Sequence, residues 1–465
     1  MIRAFSLLFG FATAHVLLET SRDALFLARL PASRLPWVYL AIAILALVLF
    51  DRLPTLLRGV HRSHELVYWL RVATIVTFIL WAILSSSRPW TFYALYIWTG
   101  VLATLFIVRF WIVIGSTFTV TQANRAYTVI GAGAVAGGIV GAALAALLSL
   151  VFPARHLVLA AAAAFALTSL IPAADKADAE SSEGGPPAGS RLLDAVGLVV
   201  AKPYLQRVGA VLLLGAITFT LVDFVFKSVV DRTVPAAQLD TFFALTYLGL
   251  NSLSLLIQLS VAAWLIRRLG VTRAMAVVPA LLLTAGLGVA AGGGLVLALL
   301  LKAVDGSFRY SLHRTGSELL FVPLAPHVRD RVKPVLDVIG QRGGQAVASL
   351  IILLLLAISS SDAVFAALVA VAATVWLMLA LDLRRHYLDV FRTSLTDEIT
   401  AARWDLPELD VPGLEALLKS LDDGDERRVV SAMELMAAYG KTTLIPTMIL
   451  RSSQDRVVVR ATELL

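Results

Sequence analysis

Residues 173 to 190 read Ala173-Ala174-Asp175-Lys176-Ala177-Asp178-Ala179-Glu180-Ser181-Ser182-Glu183-Gly184-Gly185-Pro186-Pro187-Ala188-Gly189-Ser190. Charged and rich in Gly and Pro, this stretch cannot bury apolar area and reads as a flexible linker. Its flanks are the opposite. Apolar runs fall at roughly 4–30, 36–50, 66–85, 90–115, 128–152 and 156–172 before it. A second set falls at roughly 208–230, 240–266, 274–293, 294–321, 335–358 and 362–382. A helix crosses the hydrocarbon core with about 20 apolar residues, so the spacing predicts twelve spans, six on each side of the linker. The expected fold is an all-α membrane protein of two six-helix halves, the layout of a transporter built from repeats.

Composition agrees. Of 465 residues, 59% are hydrophobic and 15% charged, with mean hydropathy +0.84. A soluble domain carries about 45–50% apolar and about 25% charged residues, so ordinary soluble enzyme folds are excluded. The chain has no cysteine, which removes disulfides, a thiolate nucleophile and Cys-ligated metal. His61 and His64 sit beside Arg58 and Arg62 and read as a basic loop rather than metal ligands. No HExxH, GxSxG or Gly-rich strand-to-helix loop occurs, so the reading is not an enzyme, with no cofactor and no metal. The net charge of +7 suits basic loops beside a lipid bilayer and does not imply nucleic acid.

Charge placement predicts orientation. With the N-terminus inside, sixteen Lys and Arg fall in inner loops, among them Arg52, Arg125, Arg207, Arg267, Arg331 and Arg384. Only Arg34, Arg88, Arg155 and Arg232 fall outside. This positive-inside bias places both termini in the cytoplasm and the protein in the cell inner membrane. The opening run Arg3–Leu30 passes the signal-like Ala12-Thr13-Ala14 and is long enough to span, so it is expected to remain as the first helix. The expected divisions are an N-terminal half over 1–172, a linker with an amphipathic segment over 173–207, a C-terminal half over 208–383, a connector over 384–410 and a helical tail over 411–465. Thr128-Val129-Ile130-Gly131 opens the fifth helix and Asp337-Val338-Ile339-Gly340 the eleventh, each followed by glycines. That similarity predicts equivalent places for the two helices, with close packing through small residues.

Ionisable residues at membrane depth cost on the order of 2.5–3.5 kcal/mol each on insertion scales and call for partners or water. Helix one carries Glu19, Arg22 and Asp23, helix three Arg71 and helix four Arg109. Helix seven carries Asp223 and Lys227, spaced to pair at i and i+4. Helix ten carries Lys302, Asp305 and Arg309, with Glu318 near its end. In one reading each cation neutralises a nearby anion, as in Asp223–Lys227 and Lys302–Asp305. In the other, the cations of helices one, four, seven and ten converge on a central site for an anionic small molecule.

Ser317-Glu318-Leu319-Leu320-Phe321-Val322-Pro323-Leu324, followed by Arg329, Arg331, Lys333, Asp337-Val338 and Arg342-Gly343-Gly344, resembles the signature block of the ATP:ADP antiporters. These nucleotide transporters are distant relatives of the major facilitator superfamily. Arg22-Asp23-Ala24-Leu25, Phe110-Trp111 and Arg125-Ala126-Tyr127 are similar to further short stretches of that family. The sequence departs from the pattern at Arg22 and Ser317, each in place of a lysine, at Ser116 in place of an acidic residue, and at Gln345 in place of a lysine. The resemblance implies a major-facilitator-like fold, alternating access and ATP or ADP as substrate. The candidate substrate ligands are then Arg22, Arg109, Lys227, Lys302 and Arg309. Glu19, Asp23, Asp223 and Glu318 are candidates for gating pairs or proton coupling, with Lys333, Asp337 and Arg342 at the cytosolic mouth. A proton-coupled facilitator of another anion or metabolite is the alternative.

In the tail, Arg428-Val429-Val430-Ser431-Ala432-Met433-Glu434-Leu435 recurs as Val457-Val458-Val459-Arg460-Ala461-Thr462-Glu463-Leu464. The period resembles that of short HEAT repeats, whose stacked helix pairs offer concave surfaces to protein partners. A second alternative follows: a membrane-anchored scaffold that recruits a cytosolic protein through the tail.

Overall fold

The structure is a computed structural model that describes residues 2–56, 62–86, 88–115, 120–171, 197–324, 326–394, 411–421, 426–438, 444–446, 449–450 and 454–464. The expected linker at 173–190, Arg58, His61 and Ser116 lie outside the described residues. Among the described residues the chain is helical and has no strand.

Six helices precede the linker: α1 (Ile2–Leu27), α2 (Leu35–Leu56), α3 (Arg62–Ile83), α4 (Pro89–Gly115), α5 (Val120–Ser149) and α6 (Ala154–Ser169). After it come α7 (Pro203–Thr233) and α8, which runs Leu239–Leu256, through a π-helical turn at Ile257–Ala262, to Ala263–Leu269. Next are α9 (Val271–Ala290) and α10, which runs Gly294–Phe308, through a π-helical turn at Arg309–His313, to Arg314–Leu320. Helix α11 runs Pro326–Val338, through a π-helical turn at Ile339–Gly343, to Gly344–Leu356, and α12 is Asp362–Ser394. Prolines mark several starts: Pro31 and Pro153 precede helical turns and Pro203 occupies the first turn of α7, where a missing N–H leaves no bond unmade. Gly270 ends α8 at φ 76°, a conformation that favours a residue without Cβ.

Ten of these helices are long and apolar enough to cross a membrane, against the twelve spans expected. The two that fall short have physical reasons. Helix α6 has only 16 residues, and α10 carries Lys302, Asp305 and Arg309 within its length. Large apolar side chains such as Ile75, Leu144, Val371 and Met378 stand exposed on the outside, which suits a lipid-facing surface.

Packing repeats across the linker. Helix α1 packs on α4, α5 and α6, and α7 packs on α10, α11 and α12; α3 lies on α6 as α9 lies on α12. The two sets meet where α5 contacts α8 and α2 contacts α11. The predicted equivalence of helices five and eleven appears in their glycines. A Cβ on Gly133, Gly137 or Gly141 would stand 2.8, 2.2 or 2.6 Å from a backbone oxygen of α1, and one on Gly344 would stand 2.7 Å from Leu213 O of α7. Thr13 Oγ1 donates to Gly137 O at 3.1 Å across the first seam.

The tail holds α13 (Val411–Ser420), α14 (Glu426–Ala438) and α15 (Asp455–Leu464). Both copies of the eight-residue repeat are helical, and they pack on each other through Val429, Ala432, Met433, Val457 and Ala461. Arg460 Nε bonds Glu434 Oε1 at 2.9 Å.

Candidate functional site

Helices α1 and α7 are buried over half or more of their spanning length. They bring their charges to the middle of the bundle, where α2, α4, α8 and α10 surround them. Burial makes pairing obligatory, because an unpartnered charge there costs several kcal/mol. The pairing is dense. Lys227, 1% exposed, lies 3.1 Å from Asp23 Oδ1 and 2.9 Å from Asp223 Oδ2, and donates to Tyr96 Oη at 2.6 Å. Asp23 also accepts from Arg22 Nε at 3.1 Å and from the Tyr247 hydroxyl. Asp223 accepts from Tyr39 at 2.7 Å and from Lys302 at 2.8 Å. Lys302 reaches Asp305 at 3.0 Å, and Asp305 in turn accepts from Arg309 Nε at 2.7 Å. Arg22 closes the chain with Glu19 at 3.2 Å, its guanidinium 4.2 Å over the Tyr96 ring.

Above this layer lies a cavity of about 370 Å³, within the ~300–1,000 Å³ range of small-molecule sites. Glu19, Arg22, Asp223, Lys302, Asp305 and Arg309 line its deep part. It extends to Arg314, Ser317, Asp337 and Arg342, beside the turn between α10 and α11. The π-helical turns of α10 and α11 contribute Arg309, His313, Gln341 and Arg342 to its wall. Such turns widen a helix locally and occur frequently at functional sites. Arg309 stacks 4.2 Å over Phe219. Arg342 spans the cavity from α11, bonding Gln345 at 2.6 Å and Thr104 of α4.

Bonds also join helices at the opposite end of the bundle. Ala32 N donates to Asp231 Oδ2 at 2.9 Å, joining the α1–α2 turn to the end of α7. Ser228 and Arg232 both engage Asp362 at the start of α12, at 2.6 and 3.5 Å.

Of the residues the sequence nominated, Arg22, Lys302, Arg309, Glu19, Asp223, Asp337 and Arg342 line the cavity together. Lys227 and Asp23 lie beneath it, sealed in the ion network. Glu318 and Lys333 pair with each other at 2.7 Å near the α10–α11 turn, where Arg314 joins Glu318 at 3.1 Å. Arg109 stands apart, 3.4 Å from Glu65 of α3 and away from the cavity wall. The expected pairs Asp223–Lys227 and Lys302–Asp305 both form. Tyr39, Tyr96 and Tyr247 were not legible in the sequence: each reads as one more aromatic in an apolar helix, and only the fold brings its hydroxyl to a buried charge.

Residues 187–387 match the model of the TLC ATP/ADP transporter family. The match covers less than half of the chain and contains the block around Glu318 and Arg342, while the similarities around Arg22 and Phe110 fall outside it. Among solved structures, the crystal structures of nucleoside transporter NupG and of a point mutant of it resemble the fold. NupG aligns at TM-score 0.59 and 14% identity, covering 84% of this chain and 99% of that one. The mutant aligns at TM-score 0.57 and 13% identity with the same coverage. At such identities the likeness shows the fold alone. No curated protein matches the chain in sequence.

Proposed function

We propose that the protein is a secondary transporter that carries a small organic anion by alternating access, with a nucleotide as the first candidate substrate. The observation that supports this most is the cavity itself, lined by Arg22, Lys302 and Arg309 at its deep end and closed on one side by bonds between helices that precede and follow the linker. With the orientation set by the basic loops, the α10–α11 turn is cytoplasmic and the cavity faces inward. Lys227, Asp23, Tyr96 and Tyr247 then form the outward seal, and Lys227 gates rather than binds. Arg22, Lys302 and Arg309 hold the substrate, exchanging a carboxylate partner for its anion. The movement would be of residues 1–172 against 208–383, with the seams α5–α8 and α2–α11 as hinges.

Purified protein in proteoliposomes is expected to take up labelled ATP or ADP against internal nucleotide, and Arg22→Ala to abolish uptake. Lack of uptake with every nucleotide removes the nucleotide claim. The chain is free of cysteine, so a single engineered pair reports cleanly on movement. Cross-linking Ala32→Cys to Asp231→Cys is expected to stop transport reversibly, and transport undiminished by a complete cross-link contradicts alternating access.

A second reading, proton-coupled uptake of another anion, is supported by Glu19. Its side chain is 33% exposed on the cavity wall, with His15 3.9 Å away. Uptake driven by a pH gradient and lost in Glu19→Gln would establish it.

A further inference from the structure

Asp337 lines the mouth of the cavity on α11, half-buried, and among the described residues its carboxylate forms no ion pair and accepts no hydrogen bond. The other carboxylates lining the cavity, Glu19, Asp223 and Asp305, each lie within 3.2 Å of a cation. The cations that act on Asp337, Arg314 and Lys333, are held instead by Glu318 at 3.1 and 2.7 Å. An ionised carboxylate only accepts hydrogen bonds, so what Asp337 offers the cavity is a vacancy for a donor. Gln341, four residues on in the same wall, adds a carboxamide beside it.

Packing fixes the depth of this group. A Cβ on Gly209 of α7 would stand 3.2 Å from Leu336, and one on Gly340 would stand 3.2 Å from Leu212. Asp337 is therefore level with residues 209–212 of α7. Arg309 stacks over Phe219, seven to ten residues further along the same helix. At 1.5 Å per residue the two levels are about 10–15 Å apart.

From this spacing we infer that the solute lies along the cavity, its anion among Arg22, Lys302 and Arg309 and an exocyclic amine on its ring at Asp337. The inference rests on the transport reading above and names the residue that selects the uncharged end of the solute. A nucleotide with two or three phosphates has the necessary reach, and a small carboxylate does not. Asp337 then discriminates by hydrogen bonding: a ring without an N–H donor at that point leaves the carboxylate facing bare ring and stripped of water.

The test compares ATP with purine riboside 5′-triphosphate, which has the same charge and ring system but lacks the 6-amino group. In proteoliposomes loaded with nucleotide, wild-type uptake of ATP is expected to exceed that of the analogue by about tenfold or more at concentrations below KM, as for a hydrogen bond to a charged group. Asp337→Ala is expected to bring that ratio to within about twofold. Asp337→Asn keeps an acceptor oxygen without its charge and is expected to give an intermediate ratio. Both solutes are measured on the same preparation, so the ratio does not depend on how much of a variant folds. A purely structural role for Asp337 would lower both rates and leave the ratio unmoved, which overturns the inference. Equal uptake of the two compounds by wild-type protein also overturns it while leaving transport intact. Uptake of neither removes the nucleotide reading and the inference with it.

Discussion

Lys227 has almost no exposed surface, and its ammonium holds apart two carboxylates, Asp23 at 3.1 Å and Asp223 at 2.9 Å. Removing it leaves two buried anions with one partner fewer each. Breaking a buried pair from one side costs about 3–5 kcal/mol, so Lys227→Met is expected to lower the unfolding temperature of the detergent-solubilised protein sharply. Adding Asp23→Asn to Lys227→Met should restore part of that loss, which would identify the cause as charge rather than packing. Arg109 gives the contrast. It pairs with Glu65 between α3 and α4, so Arg109→Gln is expected to weaken stability while leaving substrate affinity unchanged, read as KM in proteoliposomes. An affinity loss would return Arg109 to the site. The charged residues were legible in the sequence because charge within an apolar run is conspicuous, whereas their assignment to wall, floor or periphery was not. Arg22 and Arg109 look alike in one dimension, and only the register of α1 and α4 separates them.

Helices α5 and α11 meet their partners through glycine because backbone must touch backbone. At Gly137 an added Cβ would lie 2.2 Å from Phe9 O, while at Gly131 it would meet nothing within 4 Å. Gly137→Ala is therefore expected to destabilise by about 1–3 kcal/mol, the range for overpacking. Gly131→Ala should be neutral, or stabilising by up to about 1 kcal/mol through helix propensity. Equal midpoints for the two variants in thermal unfolding would contradict the close seam. The glycine-rich stretches of these helices announced the repeat in the sequence, since small residues at regular spacing have few other uses in an apolar helix. The fold places them inside α5 and α11, which begin at Val120 and Pro326, rather than at their openings. The π-helical turns at Arg309–His313 and Ile339–Gly343 left no such sign. A π turn inserts one residue into a helix without changing its composition, and it is stabilised by the surroundings rather than by local propensity. That is why the cavity wall of α10 and α11 took shape only in the fold.

At the scale of the molecule, the tail and the membrane bundle divide the competing functions between them. Every residue of the cavity wall lies between His15 and Gln345, and the tail cluster from Leu417 to Ala461 touches the bundle side through Leu388 near the end of α12. The tail core is small, with Val457 and Ala461 packed on Val429 and Met433. A transporter therefore predicts that deletion of residues 411–465 leaves uptake in proteoliposomes close to that of the whole chain, because no substrate or gate contact is lost. A scaffold acting through HEAT-like surfaces predicts the reverse in cells: the deletion abolishes the phenotype, and Arg22→Ala with Lys227→Ala leaves it intact. The buried network argues for the first outcome. Four cations and four carboxylates at membrane depth carry a desolvation penalty that well-packed apolar residues would avoid. An anchor gains nothing from them, whereas a carrier needs charges that can change partners as its two sides open in turn.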